Sequence, residues 1–182
     1  MKHFAFLRAI NVGGRTVRME TLRELFADFG ATSVETFIAS GNVIFETRSR
    51  GGRALEARIE AHLRASLGYD VATFLRTADE LHAIARHPAF EPADAVGGMV
   101  YVTFTGSPVS RTAVAAVAAL RSASDDFHVN GREIYWLRRN RDSAFTGNGL
   151  EKAVGMPGTM RNMNTVHRLI AKYARPGPRN EV

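Results

Sequence analysis

The sequence contains no cysteine, and this absence excludes several kinds of chemistry. Disulfide bonds, thiolate metal sites and a cysteine nucleophile are all ruled out. Long hydrophobic runs are also absent, since none approaches the roughly 18 apolar residues that a membrane-spanning helix needs. The short apolar run that ends at Leu7 is followed by Arg8, so it does not form the core of a signal peptide. We therefore predict a soluble, cytoplasmic protein that has no membrane partner.

Motifs for cofactors and metals are missing as well. The glycines around Gly13 match neither the dinucleotide-binding spacing nor the phosphate-binding loop, and no lysine follows them. The histidines show no i,i+4 spacing of the kind that holds a metal on a helix. Asp125 and Asp126 are adjacent, which we interpret as a turn rather than as a general acid–base pair. We predict no cofactor and no metal site, and the sequence leaves open whether the protein is an enzyme.

The charge of the chain is distributed unevenly. The net charge is +6, and residues 98–182 contain 12 basic and 6 acidic side chains, whereas residues 1–97 contain 12 of each. A basic half attracts polyanions over long distances, which makes a nucleic-acid partner one hypothesis. The alternative is a solvated basic surface without a partner.

Residues 1–76 show hydrophobic periodicities in the order β-α-β-β-α-β. This order is typical of the ferredoxin-like fold, in which two helices cover one face of a four-stranded antiparallel sheet. The predicted elements are strands His3–Leu7, Val34–Ile38, Val43–Phe45 and Tyr69–Leu75 and helices over 19–29 and 55–67. We predict a first ferredoxin-like unit over residues 1–76.

The same order then begins again after a linking helix and loop at residues 77–98. Residues 99–182 are predicted as β-α-β-β-α-α, with a hairpin at Asn130-Gly131, the strongest short turn signal in the chain. The last strand of this second, degenerate unit is missing or replaced, and a C-terminal helix follows. The predicted fold class is therefore α+β, with two ferredoxin-like units whose packing into one domain is left open.

The predicted topology of the first unit gathers polar turns at one end of its sheet. The loop after the first strand and the hairpin between the second and third strands lie at the same end, and the third strand pairs with the first. Arginine binds planar anions bidentately, and glycine turns expose backbone N–H groups that form anion nests. Alternatively, glycine and asparagine are present only because tight turns require them. The candidate ligand-binding residues are Arg8, Asn11, Gly13, Gly14, Ser40, Gly41 and Asn42.

A second polar cluster precedes the final amphipathic helix. The N-terminus of a helix favours anions because its first N–H groups are unpaired and its dipole is positive there. The alternative is ordinary N-capping by threonine or asparagine. The candidate residues in this cluster are Arg161, Asn162, Asn164 and Thr165.

Three separated motifs in these clusters resemble the signatures of domain of unknown function family 1697. The motifs are Phe6–Gly14 with Met19, Thr36 with Ser40–Val43 and Phe45, and Thr159–Val166. Two positions depart from the family pattern, since Ala9 stands where glycine is usual and Met163 where tryptophan is usual. The resemblance implies a small bacterial α+β protein, and it carries no established activity.

Three functions remain open at the level of sequence. The leading hypothesis is a protein that binds a small molecule or a phosphate-like anion, either as a binding protein or as an enzyme, with Arg8 and Asn42 orienting the ligand and Arg161 closing over it. The second is a nucleic-acid-binding module that uses the basic C-terminal half, although the aromatic pattern of RNA-recognition sheets is absent. The third is a protein-interaction or structural module. The sequence does not predict an oligomeric state.

Overall fold

A computed structural model describes residues 1–11, 13–14, 16–39 and 41–174, and this part of the chain contains two four-stranded sheets and six helices. The α+β fold class and the two ferredoxin-like units are confirmed. The first unit consists of β1 (Lys2–Leu7), α1 (Met19–Asp28), β2 (Thr32–Thr36), β3 (Asn42–Glu46), α2 (Arg53–Leu67) and β4 (Thr73–Thr77). In the first sheet the strand order is β2-β3-β1-β4, and all pairs are antiparallel.

The second sheet repeats the topology of the first, with β6 (Asp125–Asn130), β7 (Glu133–Arg138), β5 (Met99–Thr105) and β8 (Gly158–Asn162) in that order. The predicted hairpin is confirmed, since Asn130 pairs with Glu133 and the intervening Gly131 has a φ of 60°. After α3 (Ala78–Arg86), the second unit consists of β5 (Met99–Thr105), α4 (Arg111–Ala118), β6 (Asp125–Asn130), β7 (Glu133–Arg138), α5 (Gly147–Val154), β8 (Gly158–Asn162) and α6 (Met163–Tyr173).

The second unit has its fourth strand, where the sequence predicted that this strand was missing or replaced. Strand β8 pairs with β5, with Tyr101 opposite Asn162 and Thr105 opposite Gly158. Its sequence, Gly-Thr-Met-Arg-Asn, has no alternation of apolar and polar residues, because the largest side chain that it buries is an arginine. The hydrophobic periodicity of the sequence therefore predicts no strand at this position.

Asp125 and Asp126 also differ from their interpretation as a turn, because they open strand β6. The buried carboxylate of Asp125 accepts hydrogen bonds from Trp136 Nε1 at 2.8 Å and from Ser143 Oγ at 2.6 Å. A buried acceptor at a strand end resembles a turn in sequence, because both patterns place aspartate at the edge of an apolar run.

Each unit ends in the same way, with a fourth strand that leads directly into a capped helix. The Thr77 hydroxyl accepts the N–H of Glu80 at the start of α3, and the Asn162 side chain accepts the N–H of Asn164 at the start of α6. These caps supply partners for N–H groups that a helix leaves unpaired. Helix α3 is thus the counterpart of α6, so the repeat comprises seven elements in each unit.

The two sheets pack against each other face to face. On β1, Ala5 and Leu7 face a core shared with α1 and α2, whereas Phe4 and Phe6 face the second sheet. Phe6 stacks on Phe104 of β5, with ring centroids 4.1 Å apart and an interplanar angle of 18°. The outer face of the second sheet is covered by α4 and α5, so the order of layers is helices, sheet, sheet, helices.

Helices α3 and α6 contribute to the core between the sheets and lie against each other. Their buried residues include Leu81 and Ile84 on α3 and Val166 and Leu169 on α6. Among the described residues, no helix is both long and apolar enough to cross a lipid bilayer.

Candidate functional site

Arg161 lies on β8, the fourth strand of the second unit, and its side chain contacts the first unit. Its guanidinium donates to Asn42 Oδ1 at 2.6 Å, to the carbonyl of Leu7 at 3.1 Å and to the carbonyl of Gly41 at 3.4 Å. It also donates to the carbonyl of Met160 at 2.8 Å, and its Cζ lies 5.7 Å from the centroid of the Phe6 ring on β1. Burial lowers the pKa of Arg161 to about 10.

The fourth strand of the first unit sends Arg76 into the second unit in a reciprocal way. Its guanidinium donates to Glu133 Oε1 at 2.7 Å, to the carbonyl of Thr105 at 3.2 Å and to that of Arg132 at 3.3 Å. It also donates to the carbonyl of the preceding residue, Leu75, at 2.7 Å. Burial lowers the pKa of Arg76, and the charge of Glu133 opposes that shift.

The register of the two sheets makes this exchange symmetric. Phe6 lies opposite Asn42 in the first sheet, and Phe104 lies opposite Glu133 in the second. Each arginine therefore bonds the residue that opens the third strand of the other unit, and each lies over the phenylalanine on that unit's first strand. The contacts indicate an approximate two-fold relation between the units.

Three of the predicted ligand-binding residues meet at this junction. Gly41, Asn42 and Arg161 are buried together, and the Arg161 guanidinium donates to the Asn42 side chain and to the Gly41 carbonyl. Gly41 has a φ of 71°, and a Cβ there would lie 2.9 Å from Ile10 Cγ2. This position therefore requires glycine for the turn and for close packing. The three residues join the two units.

Asn11, Gly13 and Gly14 follow β1, and none of them bonds the junction residues in the part of the chain that the structure describes. Asn11 Oδ1 accepts the backbone N–H of Val17 at 2.7 Å. Gly13 and Gly14 are exposed, with φ values of 68° and 80°, and a Cβ at either position would meet nothing within 4 Å. Ala9 has a φ of 56°, so it adopts the left-handed conformation that suits the glycine usual there.

The C-terminal candidates mostly serve the cap of α6. Asn162 is the N-cap, Asn164 supplies the N–H that it accepts, and Thr165 is half-buried on the first turn. Asn162 is therefore an ordinary N-cap, which was the alternative to anion binding for this cluster. Ser40, the remaining candidate, lies outside the residues that the structure describes.

Arg8 forms a contact that the sequence did not suggest. Its Nε and Nη2 donate to Glu151 Oε1 and Oε2 of α5, each at 2.7 Å, in a bidentate ion pair between the two units. Glu151 Oε1 also accepts the backbone N–H of Gly158, at 3.2 Å. Glu151 is 143 residues away from Arg8 in the sequence and belongs to no motif, so no local signal could have identified it.

The Arg8–Glu151 ion pair lines a cavity of about 300 Å³ at the junction of the units, which we call the first cavity. Thr103 also lines it, and the hydroxyl of this buried residue has no hydrogen-bond partner among the described residues. Helix α5 begins here, so its first N–H groups and the positive end of its dipole lie at the wall. The lining residues are Arg8, Ala9, Thr103, Gly147, Asn148, Glu151, Gly158 and Met160.

The carboxyl group of Glu151 is shifted toward its ionised form. Burial raises its pKa, but the hydrogen bonds from Arg8 and Gly158 and the charge of Arg8 together bring it below the ordinary value of 4.5. The pair therefore presents one cation and one anion to the first cavity at neutral pH.

We expect Glu151→Gln to reduce stability by about 1 kcal/mol or less at neutral pH, because the pair is partly exposed. A lowered pKa in the folded state contributes stability above the ordinary carboxyl pKa, and this contribution is lost as the pH falls through the folded-state pKa. The difference between wild type and variant in urea unfolding should therefore shrink with acidification. Glu20→Gln, at an exposed and longer ion pair, is the control. A difference that does not change with pH contradicts the shift.

The surfaces that an RNA-recognition sheet would use are covered in this fold. One face of each sheet packs on the other sheet, and Tyr135 and Trp136 are buried. Arg139 of the basic half pairs with Asp126, and Arg138 donates to backbone carbonyls of the loop that follows β7. The aromatic rings of β7 are therefore not available as a stacking surface of the RNA-recognition type.

Two histidines meet although their sequence spacing gave no sign of it. His87 Nε2 and His128 Nε2 are 2.9 Å apart, joining the end of α3 to the edge strand β6. Burial and the charges of His87 and Arg121 lower the pKa of His128. Within the described ranges, no group of three or more metal-ligating side chains occurs.

Comparisons with known proteins agree with this architecture. The chain is similar to the solved structure of the conserved bacterial protein SP0830 from Streptococcus pneumoniae, with a TM-score of 0.68 and 20% sequence identity over 94% of this chain and 98% of the other. At that identity the similarity shows a shared fold. No curated protein matches the chain significantly.

The family match covers the first part of the chain. Residues 1–135 match the family described as protein of unknown function, DUF1697. The matched range contains the motifs at Phe6–Gly14 and Ser40–Val43, whereas Thr159–Val166 lies beyond it. Because the match covers most of the sequence, the chain belongs to the DUF1697 family.

Proposed function

We propose that this protein binds, in the cytoplasm, a small molecule that carries an anionic group, and that the first cavity is its site. The Arg8–Glu151 ion pair at the wall of this cavity supports the proposal most. The side chain of Arg8 remains 39% exposed within the pair, and its Nη1 makes no hydrogen bond with the described residues. A guanidinium held in a fixed orientation is suited to a carboxylate or a phosphate oxygen.

Other groups at the wall add donors for the same ligand. The first N–H groups of α5, at Gly147 and Asn148, favour an anion because of the helix dipole. A rotation of Thr103 would direct its unpaired hydroxyl to a ligand without loss of an existing hydrogen bond. The cavity lies at the lower end of the size range of small-molecule sites, so we expect a compact ligand.

Glu151 has an orienting role in this proposal. Arg8 holds it in the ionised form, which is unsuited to donating a proton at neutral pH. The carboxylate instead fixes the guanidinium and accepts a hydrogen bond from a hydroxyl or ammonium group on the ligand. The two sides of the ion pair thus contact different parts of one molecule.

A thermal-shift screen with inorganic phosphate, carboxylic acids, amino acids and phosphorylated metabolites tests the proposal. A ligand at a hundredfold excess over its Kd should stabilise the protein by about 2.7 kcal/mol, which is roughly 5–10 °C in Tm for a chain of this length. Arg8→Gln should abolish the shift, and Arg8→Lys should weaken it because the fork is lost. Arg64→Gln, at an exposed pair on α2, is the matched control and should bind like the wild type.

The screen also distinguishes the other functions. The absence of any stabilising compound, or a shift of equal size in Arg8→Gln, contradicts the first cavity as the site. Fluorescence anisotropy with nucleic acid across a salt series should show no binding. Binding that falls steeply with salt would instead support the basic half as a polyanion surface.

A further inference from the structure

The first cavity has a counterpart at the other junction of the two units, which we call the second cavity. Its volume is about 450 Å³, and both units contribute to its wall. The lining residues are Arg53, Glu60, Ala72, Phe74, Gly106, Ser107, Pro108, Met156 and Pro157.

Glu60 in the second cavity holds the place that Glu151 holds in the first. Glu60 Oε1 accepts the N–H of Thr73 at 2.9 Å, and Glu151 Oε1 accepts the N–H of Gly158 at 3.2 Å. Thr73 and Gly158 both open the fourth strand of their unit. Each carboxylate therefore lies on the second helix of its unit and fixes the start of the adjoining strand.

The two cavities differ in the residue that follows the first strand of the opposite unit. Arg8 follows β1 and pairs with Glu151, whereas Gly106 follows β5 and has no side chain to reach Glu60. Because Gly106 has no side chain, less of the second cavity is filled, and its volume is about 450 Å³ against about 300 Å³ for the first.

Glu60 instead pairs with Arg53 of its own helix, in a weaker arrangement. The two hydrogen bonds are 3.3 and 3.4 Å long, and the Arg53 side chain is 61% exposed. The same guanidinium also donates to Glu56 at 3.2 Å, and the Glu56 side chain is fully buried. Two carboxylates thus share one guanidinium in the second cavity, whereas in the first cavity one carboxylate pairs with one guanidinium.

The rest of the second cavity is mainly apolar. Phe74, Pro108, Met156 and Pro157 form its walls, beside the small residue Ala72. A ligand that matches this lining has an apolar body. It also carries a cationic group at one end, which balances the charge of the second carboxylate.

We propose that the second cavity binds an organic cation, with a guanidinium or primary ammonium head on an apolar body. The head takes the place at Glu60 that the exposed Arg53 guanidinium holds in this structure. The apolar body lies against Phe74 and the Met156–Pro157 segment. The protein thus has two related sites of opposite preference, because Glu151 is held by a short ion pair with Arg8, whereas Glu60 is held only by the longer hydrogen bonds of an exposed arginine.

Isothermal titration calorimetry with butylguanidinium and butylamine tests this proposal, with butanol and butyrate as neutral and anionic probes of similar size. Gly106→Arg places an arginine where Arg8 stands in the first cavity, and it should abolish binding of the cation. Gly106→Ala is the matched control, because a Cβ there would lie 3.6 Å from Arg53 Nη1 and 4.0 Å from Phe74 Cε1, which is ordinary contact. Its binding should equal that of the wild type.

Glu60→Gln gives a test that does not depend on how Gly106→Arg folds. Glutamine keeps an oxygen for the Thr73 N–H but removes the charge, so cation binding should weaken about tenfold or more. Arg64→Gln, at an exposed ion pair on the same helix, should leave cation binding unchanged. No binding of either cation to the wild type, equal binding of butanol, or unchanged binding in Glu60→Gln and Gly106→Arg each overturns the proposal.

Discussion

Arg161→Ala is expected to lower the free energy of unfolding by about 3–5 kcal/mol. The guanidinium is buried and bonds the ends of β1 and β3 in the other unit, through Leu7 and Asn42. Alanine removes these donors, leaves a cavity beside Phe6 and takes away the main polar contact between β8 and the first sheet. For a chain of this length, each kcal/mol corresponds to about 2–4 °C in Tm.

Urea unfolding and thermal melts of three variants measure this effect. Arg161→Lys keeps the charge but has no planar fork, so its loss should be smaller than that of alanine but clear. Arg64→Ala, whose side chain is 69% exposed, should change stability by less than about 0.5 kcal/mol. A loss below about 1 kcal/mol for Arg161→Ala would contradict the role of this residue in joining the units.

Glu133→Ala is expected to have an effect of similar size, about 3–5 kcal/mol. The substitution removes the carboxylate beside Arg76, whose side chain has no exposed surface. Arg76 keeps its bonds to the carbonyls of Leu75, Thr105 and Arg132, but it loses its charged partner in a place of low polarity. An uncompensated buried charge is among the most costly defects in a protein interior.

The double variant Arg76→Met, Glu133→Leu separates the cost of the unpaired charge from the value of the pair. Apolar replacements of similar volume should recover a large part of the stability that Glu133→Ala loses, because both desolvation penalties disappear. Glu20→Ala, at an exposed pair on α1, should stay near the wild type. A double variant that is no more stable than Glu133→Ala would show that the geometry of the pair, rather than charge balance, maintains the junction.

Much of the fold was predictable from the sequence because its signals are local. The helices α1 and α2 follow apolar periodicity, and Asn130-Gly131 specifies its hairpin by turn chemistry. Element order then gave the strand pairings of the first sheet, including β1 with β3. The same topology located Gly41 and Asn42 at one end of the sheet, beside the end of β1.

The contacts between the units were not predictable, because they join residues far apart in the sequence. Strand β8 buries Arg161, so its sequence has no apolar alternation, and only pairing with β5 stabilises it as a strand. Glu151 and Glu60 sit on ordinary amphipathic helices and become distinctive only when the other unit is docked. The face-to-face packing of the two sheets follows from Phe6 and Phe104, which in sequence are simply core residues.

The reciprocal arginines also give a structural reason for the motifs that resemble the family pattern. The junction between the units is formed by motif residues such as Leu7, Gly41, Asn42 and Arg161. Their hydrogen bonds give a structural reason for the polar residues in these motifs. Arg8 belongs to the same motif, and among the described residues it bonds Glu151 at the edge of the first cavity. Leu7 and Arg8 are adjacent, so the junction and the proposed binding site share one short segment.

A crystal structure of the protein soaked with the most stabilising compound of the thermal-shift screen would show where the ligand binds. We expect ligand density in the first cavity, with an anionic oxygen within hydrogen-bond distance of Arg8 and of the first N–H groups of α5. We also expect the Arg8→Gln crystal, soaked in the same way, to show none. Ligand density at another place, with the first cavity unchanged, would contradict the proposed site.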